Sequence, residues 1–208
     1  MKLYCLAVYY KDASGVRLLK GAFELSSFSF FQRGTMQEFM TFAGKTIVER
    51  AARPSRSTVK EQEYLVHCYV KQDGLSAIVI SDADYPKRVA FTMLSKVLDD
   101  FCDKVPEAQW RSSPSSSKQS SSSASSQVQY RGLEESLRHF QDPKQADSVT
   151  KVQEEIDETK IVLHNTIQAV LERGEKLDDL IEKSEGLSTQ SKMFYTQARK
   201  MNKCCSWY

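Results

Sequence analysis

Apolar and polar positions in the first hundred residues follow the periods of strands and helices that share one core. Residues 2–10 are apolar on both alternate faces, which predicts a strand that is covered on two sides. Ser14-Gly15 predicts a turn, and residues 16–24 predict a strand that returns beside the first one. The chain is therefore predicted to begin with a hairpin.

A second hairpin is predicted from residues 63–71 and 75–82, because Asp73-Gly74 between them is a strong turn signal. Residues 56–61 show a weaker strand pattern just before it. Since hairpins join antiparallel neighbours, these segments together predict a mostly antiparallel sheet.

Helical periodicity occurs between and after these strands. Thr35 predicts the start of a helix, since Glu38 three residues later completes a capping box. Pro86 stands where a first helical residue is expected, and apolar residues follow it at helical spacing. These residues are Ala90, Leu94, Val97, Leu98, Phe101 and Val105. The pattern predicts an α+β fold with helices on both faces of the sheet.

After Pro143 the pattern changes to one heptad register that no proline interrupts. The register positions are Val149, Val152, Ile156, Thr159, Leu163, Thr166, Val170, Arg173, Leu177, Leu180, Ser184, Leu187, Ser191, Phe194, Ala198 and Met201. Such a narrow, mostly apolar seam predicts a coiled-coil helix of roughly 80 Å at ~1.5 Å per residue. One helix cannot bury its own seam. Without partner helices we expect it to be partly disordered or to fold back on the N-terminal half.

Composition narrows the possibilities mainly by exclusion. The net charge is +2, from 29 basic and 27 acidic side chains, so nucleic acid is not expected as a partner. No apolar run approaches the ~18–20 residues of a transmembrane helix. Residues 112–126 contain 11 serines and predict a flexible insert.

No sequence feature indicates catalysis or a bound metal. The five cysteines form no CxxC pair, so we expect neither a metal site nor another cofactor. The phosphate-binding, nucleophile-elbow and zinc-protease motifs GxxxxGK[ST], GxSxG and HExxH do not occur. His67, His139 and His164 lack clustered carboxylates, so we expect the protein not to be an enzyme.

Arg173 interrupts the seam at a core position between Val170 and Leu177. Its guanidinium has five N–H donors and keeps its charge, so burying it unpaired would cost several kcal/mol. Side-chain carbonyls from three neighbouring helices would satisfy it, and it would then set the register of the bundle. The alternative is that Arg173 reaches solvent from a loose dimer.

Two stretches of the chain carry a resemblance to a known family. Residues 171–180 (LERGEKLDDL) resemble the central layer of R-SNAREs, with Arg173 as the ionic-layer arginine. Residues 28–33 (FSFFQR), 37–42 (QEFMTF) and 59–65 (VKEQEYL) resemble a longin domain. The chain is similar to the synaptobrevin-like longin R-SNAREs that carry lipids instead of a transmembrane anchor.

The resemblance implies an architecture and a function. It implies a longin (profilin-like) five-stranded antiparallel sheet between helices over residues 1–141, which include the serine-rich insert. It implies an R-SNARE coiled-coil motif over residues 148–203 and a lipidation tail at 204–208. The implied function is vesicle docking and membrane fusion, by zipping with three Q-SNARE helices at the cytoplasmic face of Golgi, ER, vesicle or endosome membranes, with a cytosolic pool.

The chain end combines two cysteines with an unusual last triplet. Cys205 is fourth from the end, the prenylated position of a C-a-a-X box, and Cys204 suits palmitoylation. Two lipid chains anchor a protein stably, whereas one binds reversibly. However, residues 206–208 (SWY) depart from the aliphatic residues and terminal Met of the family. An unmodified tail with two free thiols is therefore the alternative to a prenylated Cys205.

The first long helix presents two phenylalanines beside its core stripe. That stripe is formed by Met36, Met40, Ala43 and Ile47. Phe39 lies at its edge, and Phe42 lies about 120° from its middle. Phe42 therefore either contributes to an apolar groove or packs under a neighbouring loop. The resemblance implies the groove, in which the longin domain would hold its own SNARE segment and lipid in a closed form.

A different class of function remains open at this point. A long coiled coil also suits a non-fusogenic scaffold or a trafficking adaptor, although Cys204-Cys205 at the terminus argues against a plain scaffold. Binding to glutamine-layer Q-SNARE helices would separate the two classes.

Overall fold

The computed structural model describes residues 1–111, 128–143 and 160–204 of the 208-residue chain, with side chains up to residue 197. We call residues 1–111 and 128–143 the N-terminal domain, and residues 160–204 the C-terminal segment. The predicted serine-rich insert at residues 112–126 lies outside the described residues.

Five antiparallel strands form the centre of the N-terminal domain. They are β1 Leu3–Asp12, β2 Gly15–Phe23, β3 Ser55–Glu61, β4 Tyr64–Val70 and β5 Leu75–Asp82. Their order across the sheet is β2-β1-β5-β4-β3, and every neighbouring pair is antiparallel. Both predicted hairpins are confirmed, as is the weaker strand pattern at residues 56–61. Gly74 has a φ of +91°, the left-handed conformation that a tight turn requires.

Helices cover both faces of the sheet, as predicted. They are α1 Phe30–Arg50, α2 Lys87–Lys104, α3 Glu107–Arg111 and α4 Gly132–His139. Met40 and Ile47 of α1 pack on one face with Tyr9 and Ile78. Phe91 and Leu94 of α2 pack on the other face, together with the apolar side of α4. Each fully buried apolar side chain contributes about 1.5–3 kcal/mol to this arrangement.

Helix α1 begins earlier than its predicted capping box. Its first residue is Phe30, after Ser29, and Thr35 is buried inside the helix. Glu38 therefore does not cap α1. Its carboxylate accepts a hydrogen bond from the backbone N–H of Ser188 instead. The local pattern predicted that Glu38 caps the start of the helix, but its side chain binds a residue 150 positions away in sequence.

The C-terminal segment is not one helix in this structure. It forms β6 Ile161–His164, a 3₁₀ helix Ile167–Val170, and helices that we label α5 Leu177–Lys183 and α6 Thr189–Cys204. Strand β6 pairs in parallel with β3 and extends the sheet to six strands. No helix among the described residues is long and apolar enough to cross a bilayer.

Part of the coiled-coil helix predicted for residues 148–203 lies outside the described residues, and the described part, from residue 160 onwards, is folded back on the N-terminal domain as separate short elements. Folding back is one of the two arrangements expected of a seam that has no partner helices. Two features of the chain allow the breaks. Gly174 has a φ of +95°, which ends helical geometry at low cost, and the edge of β3 offers unpaired backbone groups to β6.

Candidate functional site

A cavity of about 770 Å³ lies between helix α1, the β3–β4 hairpin and the C-terminal segment. Its wall on the domain side includes Met36, Phe39, Met40, Phe42, Tyr64 and Val66. Its wall on the segment side includes Ile167, Leu177, Ile181 and Tyr195. The size falls in the range of small-molecule sites, and the lining is mainly apolar. Such a cavity fits an apolar ligand better than a charged one.

Helix α1 places both predicted groove residues in this wall. Met40 and Ile47 point into the sheet core, with 5% and 0% of their surfaces exposed. Phe39 and Phe42, three residues apart on the helix, share the neighbouring side and are partly buried. The ring of Phe39 packs on Tyr195, with centroids 5.7 Å apart and planes at 34°. The C-terminal segment therefore faces Phe39 across the cavity, and Glu61 and Gln62 of the β3–β4 turn line it as well.

Tyr195 connects the two helices of the segment beside the cavity. Its hydroxyl donates to Asp178 Oδ1 over 3.2 Å, which joins α6 to α5. Burial raises the pKa of Tyr195, and the nearby Glu61 carboxylate raises it further. The hydroxyl thus stays protonated and remains a donor at neutral pH. The heptad pattern did not single out Tyr195, because it lies outside the seam between Phe194 and Ala198.

The structure separates the predicted seam positions instead of aligning them. Leu187 and Ser191 are buried, with 4% and 0% exposure. The partly buried positions are Val170, Leu177, Leu180 and Ser184. The exposed positions are Leu163, Thr166, Arg173 and Phe194. Val149, Val152, Ile156 and Thr159 lie outside the described residues, as do the side chains of Ala198 and Met201.

Arg173 lies exposed in the turn between the 3₁₀ helix and α5, beside Gly174. In this arrangement its side chain is exposed and is not part of a core. Its assignment to an ionic layer stays a prediction. The predicted lipid sites stay predictions as well: Cys204 is the last residue of α6, and Cys205 lies outside the described residues.

Charged side chains also hold the segment on the N-terminal domain. Arg50 and Glu175 form a two-bond ion pair, with Nη2–Oε1 at 2.6 Å and Nε–Oε2 at 3.2 Å. The hydrogen bond from the Glu172 N–H, and then the Arg50 guanidinium, hold the pKa of Glu175 below its usual value. Burial alone would raise the pKa of Glu38, but hydrogen bonds from Ser188 and Ser191 outweigh it and lower that pKa. Both carboxylates are therefore ionised at neutral pH.

The buried histidine and the two buried cysteines of the N-terminal domain belong to its packed interior. No group of three or more His, Cys, Asp or Glu within residues 1–111, 128–143 and 160–197 could hold a metal ion. His67 is fully buried, shares a 3.0 Å hydrogen bond with Thr58, and contacts the Phe91 ring edge-on. Burial lowers the pKa of His67 to about 4, so it is neutral in the folded domain. Cys5 and Cys68 are buried free thiols whose pKa values burial raises.

Comparison with known proteins covers nearly the whole chain. Residues 25–125 match the longin family, described as a regulated-SNARE-like domain, and residues 148–208 match the synaptobrevin family. Over 205 residues the chain is 47% identical to the synaptobrevin homolog ykt6 of Schizosaccharomyces pombe, which covers 99% of this chain and 98% of that protein. The identity to the synaptobrevin homologs YKT6 of Eremothecium gossypii and Yarrowia lipolytica is 45% and 43%, at the same coverage.

Proposed function

This chain belongs to the synaptobrevin-like R-SNAREs with an N-terminal longin domain, a family of vesicle-transport proteins and not of enzymes, and from this premise we propose that it drives membrane fusion. Residues 148–203 would straighten into one helix and zip in parallel with three Q-SNARE helices from the opposing membrane. The observation that carries the proposal is the uninterrupted heptad register, with its single arginine at position 173. Each apolar side chain buried in a layer contributes about 1.5–3 kcal/mol, and zippering towards the C-terminal end pulls the bilayers together.

Arg173 would act as the ionic layer of that bundle. Side-chain carbonyls of the Q-SNARE helices accept from its N–H groups without adding a second buried charge. A buried arginine tolerates only the register in which those acceptors surround it. Arg173 therefore sets alignment and partner choice, while the flanking layers supply the binding energy.

The longin domain would regulate fusion by holding the segment in the folded-back form. Leu187 and Ser191, which a bundle needs in its core, are buried in this structure, and Ser191 hydrogen-bonds the Glu38 carboxylate of the N-terminal domain. The same backbone cannot be a sheet strand at β6 and part of a continuous helix. Binding to the longin domain and to Q-SNAREs therefore exclude each other, and the balance between them sets activity.

The tail would supply the membrane anchor. We assign a prenyl group to Cys205 and a palmitoyl group to Cys204, in the lipidation tail at residues 204–208. The apolar cavity beside Phe39 and Phe42 suits one such chain in the closed form. A protein with one sheltered chain cycles between the cytosol and the cytoplasmic face of endomembranes, and a second acyl chain makes attachment stable.

Substituting Arg173 tests the fusion proposal. Arg173→Gln should leave the N-terminal domain folded and weaken or misalign the four-helix complex, with recovery when one partner carries a matching Gln→Arg change. Lys183→Gln removes one charge outside the seam and is the matched control. The measurements are assembly with purified Q-SNARE helices and fusion of liposomes. Normal assembly and fusion by Arg173→Gln with unchanged partners would contradict the ionic-layer role, and a scaffold would bind no Q-SNARE set at all.

The anchor is tested by mass spectrometry of protein from eukaryotic cells. We expect a prenyl adduct on Cys205, loss of membrane association in Cys205→Ser, and a milder defect in Cys204→Ser. Membrane-bound protein that keeps a free, uncleaved terminus at residues 206–208 would exclude the prenyl anchor.

A further inference from the structure

Breaking a helix leaves backbone N–H groups without acceptors, and acidic side chains of the N-terminal domain accept two of these in the C-terminal segment. In one continuous helix, each of these groups would donate to the carbonyl four residues earlier. Here the N–H of Ile167 donates to Glu61 Oε2 over 3.0 Å, and the N–H of Ser188 donates to Glu38 Oε2 over 2.8 Å. Glu61 ends strand β3, and Glu38 lies in helix α1. Ile167 opens the 3₁₀ helix, and Ser188 directly precedes α6.

A third break, around Gly174, is closed by side chains of the segment itself. The N–H of Glu172 donates to Glu175 Oε2 over 2.9 Å. The Gln168 amide spans the turn, since its Nε2 donates to the Glu175 carbonyl and its Oε1 accepts from the N–H of Leu177, over 2.8 and 3.0 Å. The two-bond ion pair from Arg50, in the last turn of α1, then ties Glu175 to the domain.

These contacts depend on the shape of the backbone. The N–H groups of Ile167, Glu172 and Ser188 are free donors only while the helix is broken. An acidic oxygen at the start of a helical turn satisfies such a donor and also gains from the partial positive charge there. Apolar contacts have no such dependence, because a leucine can be buried on the longin domain or in a bundle alike.

We propose that Glu38, Glu61 and the Arg50–Glu175 pair form a clasp, which selects the broken form of the segment over the straight helix. This proposal rests on the proposed regulation by the longin domain, and it names the residues through which that regulation acts. Glu175 lies about 200° from Arg173 on a straight helix, so it faces away from the seam. The clasp therefore acts on the folded-back state alone, and its residues are positioning residues that take no part in the bundle.

Reversing the ion pair tests the clasp in the full chain. Arg50→Glu removes the ion pair and should speed hydrogen exchange of the backbone amides in residues 161–190 by about two- to fivefold. Glu175→Arg also removes the acceptor of the Glu172 N–H and should speed it by about five- to tenfold. The double variant restores the pair with reversed polarity and should recover the protection that the ion pair supplies. The bond from the Glu172 N–H stays lost, because an arginine side chain has no acceptor. Added salt should reduce the difference between the original chain and the single variants, since both partners are partly exposed.

Glu182→Arg is the matched control, because Glu182 lies one heptad after Glu175 and its side chain is exposed. It should exchange like the original chain. The capping carboxylates are tested by Glu38→Ala, which should speed exchange around Ser188, and by Glu38→Gln, which keeps an acceptor oxygen and should have a smaller effect. Slow exchange in β1 and β5 shows that the domain of each variant is folded. If Arg50→Glu disturbs the folding of the domain, the exchange rates of Glu175→Arg still test the clasp.

Unchanged exchange in Glu175→Arg, or no recovery in the double variant, would overturn the clasp. Failure of the proposed function looks different. The proposed fusion function fails if the original chain gains no helix, measured by circular dichroism, with any set of Q-SNARE helices. This outcome does not depend on its hydrogen-exchange pattern. A correct clasp predicts that Glu175→Arg gains helix with those partners faster than the original chain, and to the same final extent.

Discussion

Helix α2 of the N-terminal domain buries Phe91, Leu94 and Leu98 completely, whereas helix α6 of the C-terminal segment leaves Met193 67% and Phe194 37% exposed. The domain places the apolar side of α2 against the sheet, and α1 does the same on the other face. In the segment, strand β6 and the 3₁₀ helix are only four residues long, and charged contacts hold the breaks between elements. The two regions of one chain are thus stabilised by different kinds of contact.

The difference shows which region depends on outside partners. A sheet with both faces covered has little to gain from another protein, because its apolar area is already out of water. In the seam some apolar residues are buried and others are exposed, so part of its apolar surface can still be buried by a partner. Only a set of helices that aligns with the whole register can bury that remaining surface. The segment is therefore expected to leave the domain without unfolding it.

The largest expected effect comes from the core of the domain. Leu94→Ala should lower the free energy of unfolding by about 2–5 kcal/mol, because it removes a fully buried side chain from a packed core. Ile181→Ala, a similar truncation in the segment, should leave domain unfolding unchanged and only speed exchange in the segment. Urea unfolding followed by the fluorescence of the buried Trp110, in a Trp207→Phe background, measures both. Equal losses in the two variants would mean that domain and segment unfold as one unit.

A pH titration should also separate the regions. The unfolded chain protonates His67 near pH 6.5, whereas the folded domain keeps it neutral down to a pKa of about 4. Stability from His67 is therefore complete above pH 6.5 and falls by roughly 1.4 kcal/mol per unit as the pH drops to 4, about 3 kcal/mol in total. His67→Gln should flatten this dependence. The carboxylates Glu38 and Glu175 have pKa values below their usual 4.5, so their hold on the segment should be complete above pH 4.5 and fall only below it. Release of the segment before the domain weakens would contradict this order.

A smaller effect is expected where the two regions meet. Phe42→Glu places a carboxylate in the apolar cavity, at a cost of roughly 1–3 kcal/mol, so the segment should detach. The hydrodynamic radius and binding to liposomes should both increase. Phe31→Glu changes a phenylalanine of the same helix that is 86% exposed, and it should have neither effect. If Phe42→Glu leaves both the radius and the partitioning unchanged, the cavity does not hold the segment.

Local sequence signals were sufficient for most of the N-terminal domain. The Asp73-Gly74 turn, the alternating apolar strands and Pro86 before α2 each act within a few residues. The boundary of α1 was misjudged because Thr35 and Glu38 imitate a capping box inside a longer helix. Apart from α1, which keeps Gly34 and Gly44 in its interior, the long elements around the core follow their local patterns, so pattern and fold coincide there.

The sequence by itself determined the five-stranded sheet, its covering helices and a heptad seam with one arginine. Each of these shows as a short repeating pattern of apolar and polar residues along the chain. The tertiary structure alone decided that the seam is broken, that β6 pairs with β3, and that the C-terminal segment forms one wall of the cavity. The deciding contacts join residues 106, 125 and 150 positions apart: Glu61 to Ile167, Arg50 to Glu175, and Glu38 to Ser188. No period in the sequence marks such pairs. They form because an unpartnered helix gains more from a neighbouring edge strand, an apolar wall and free carboxylates than from staying straight in water.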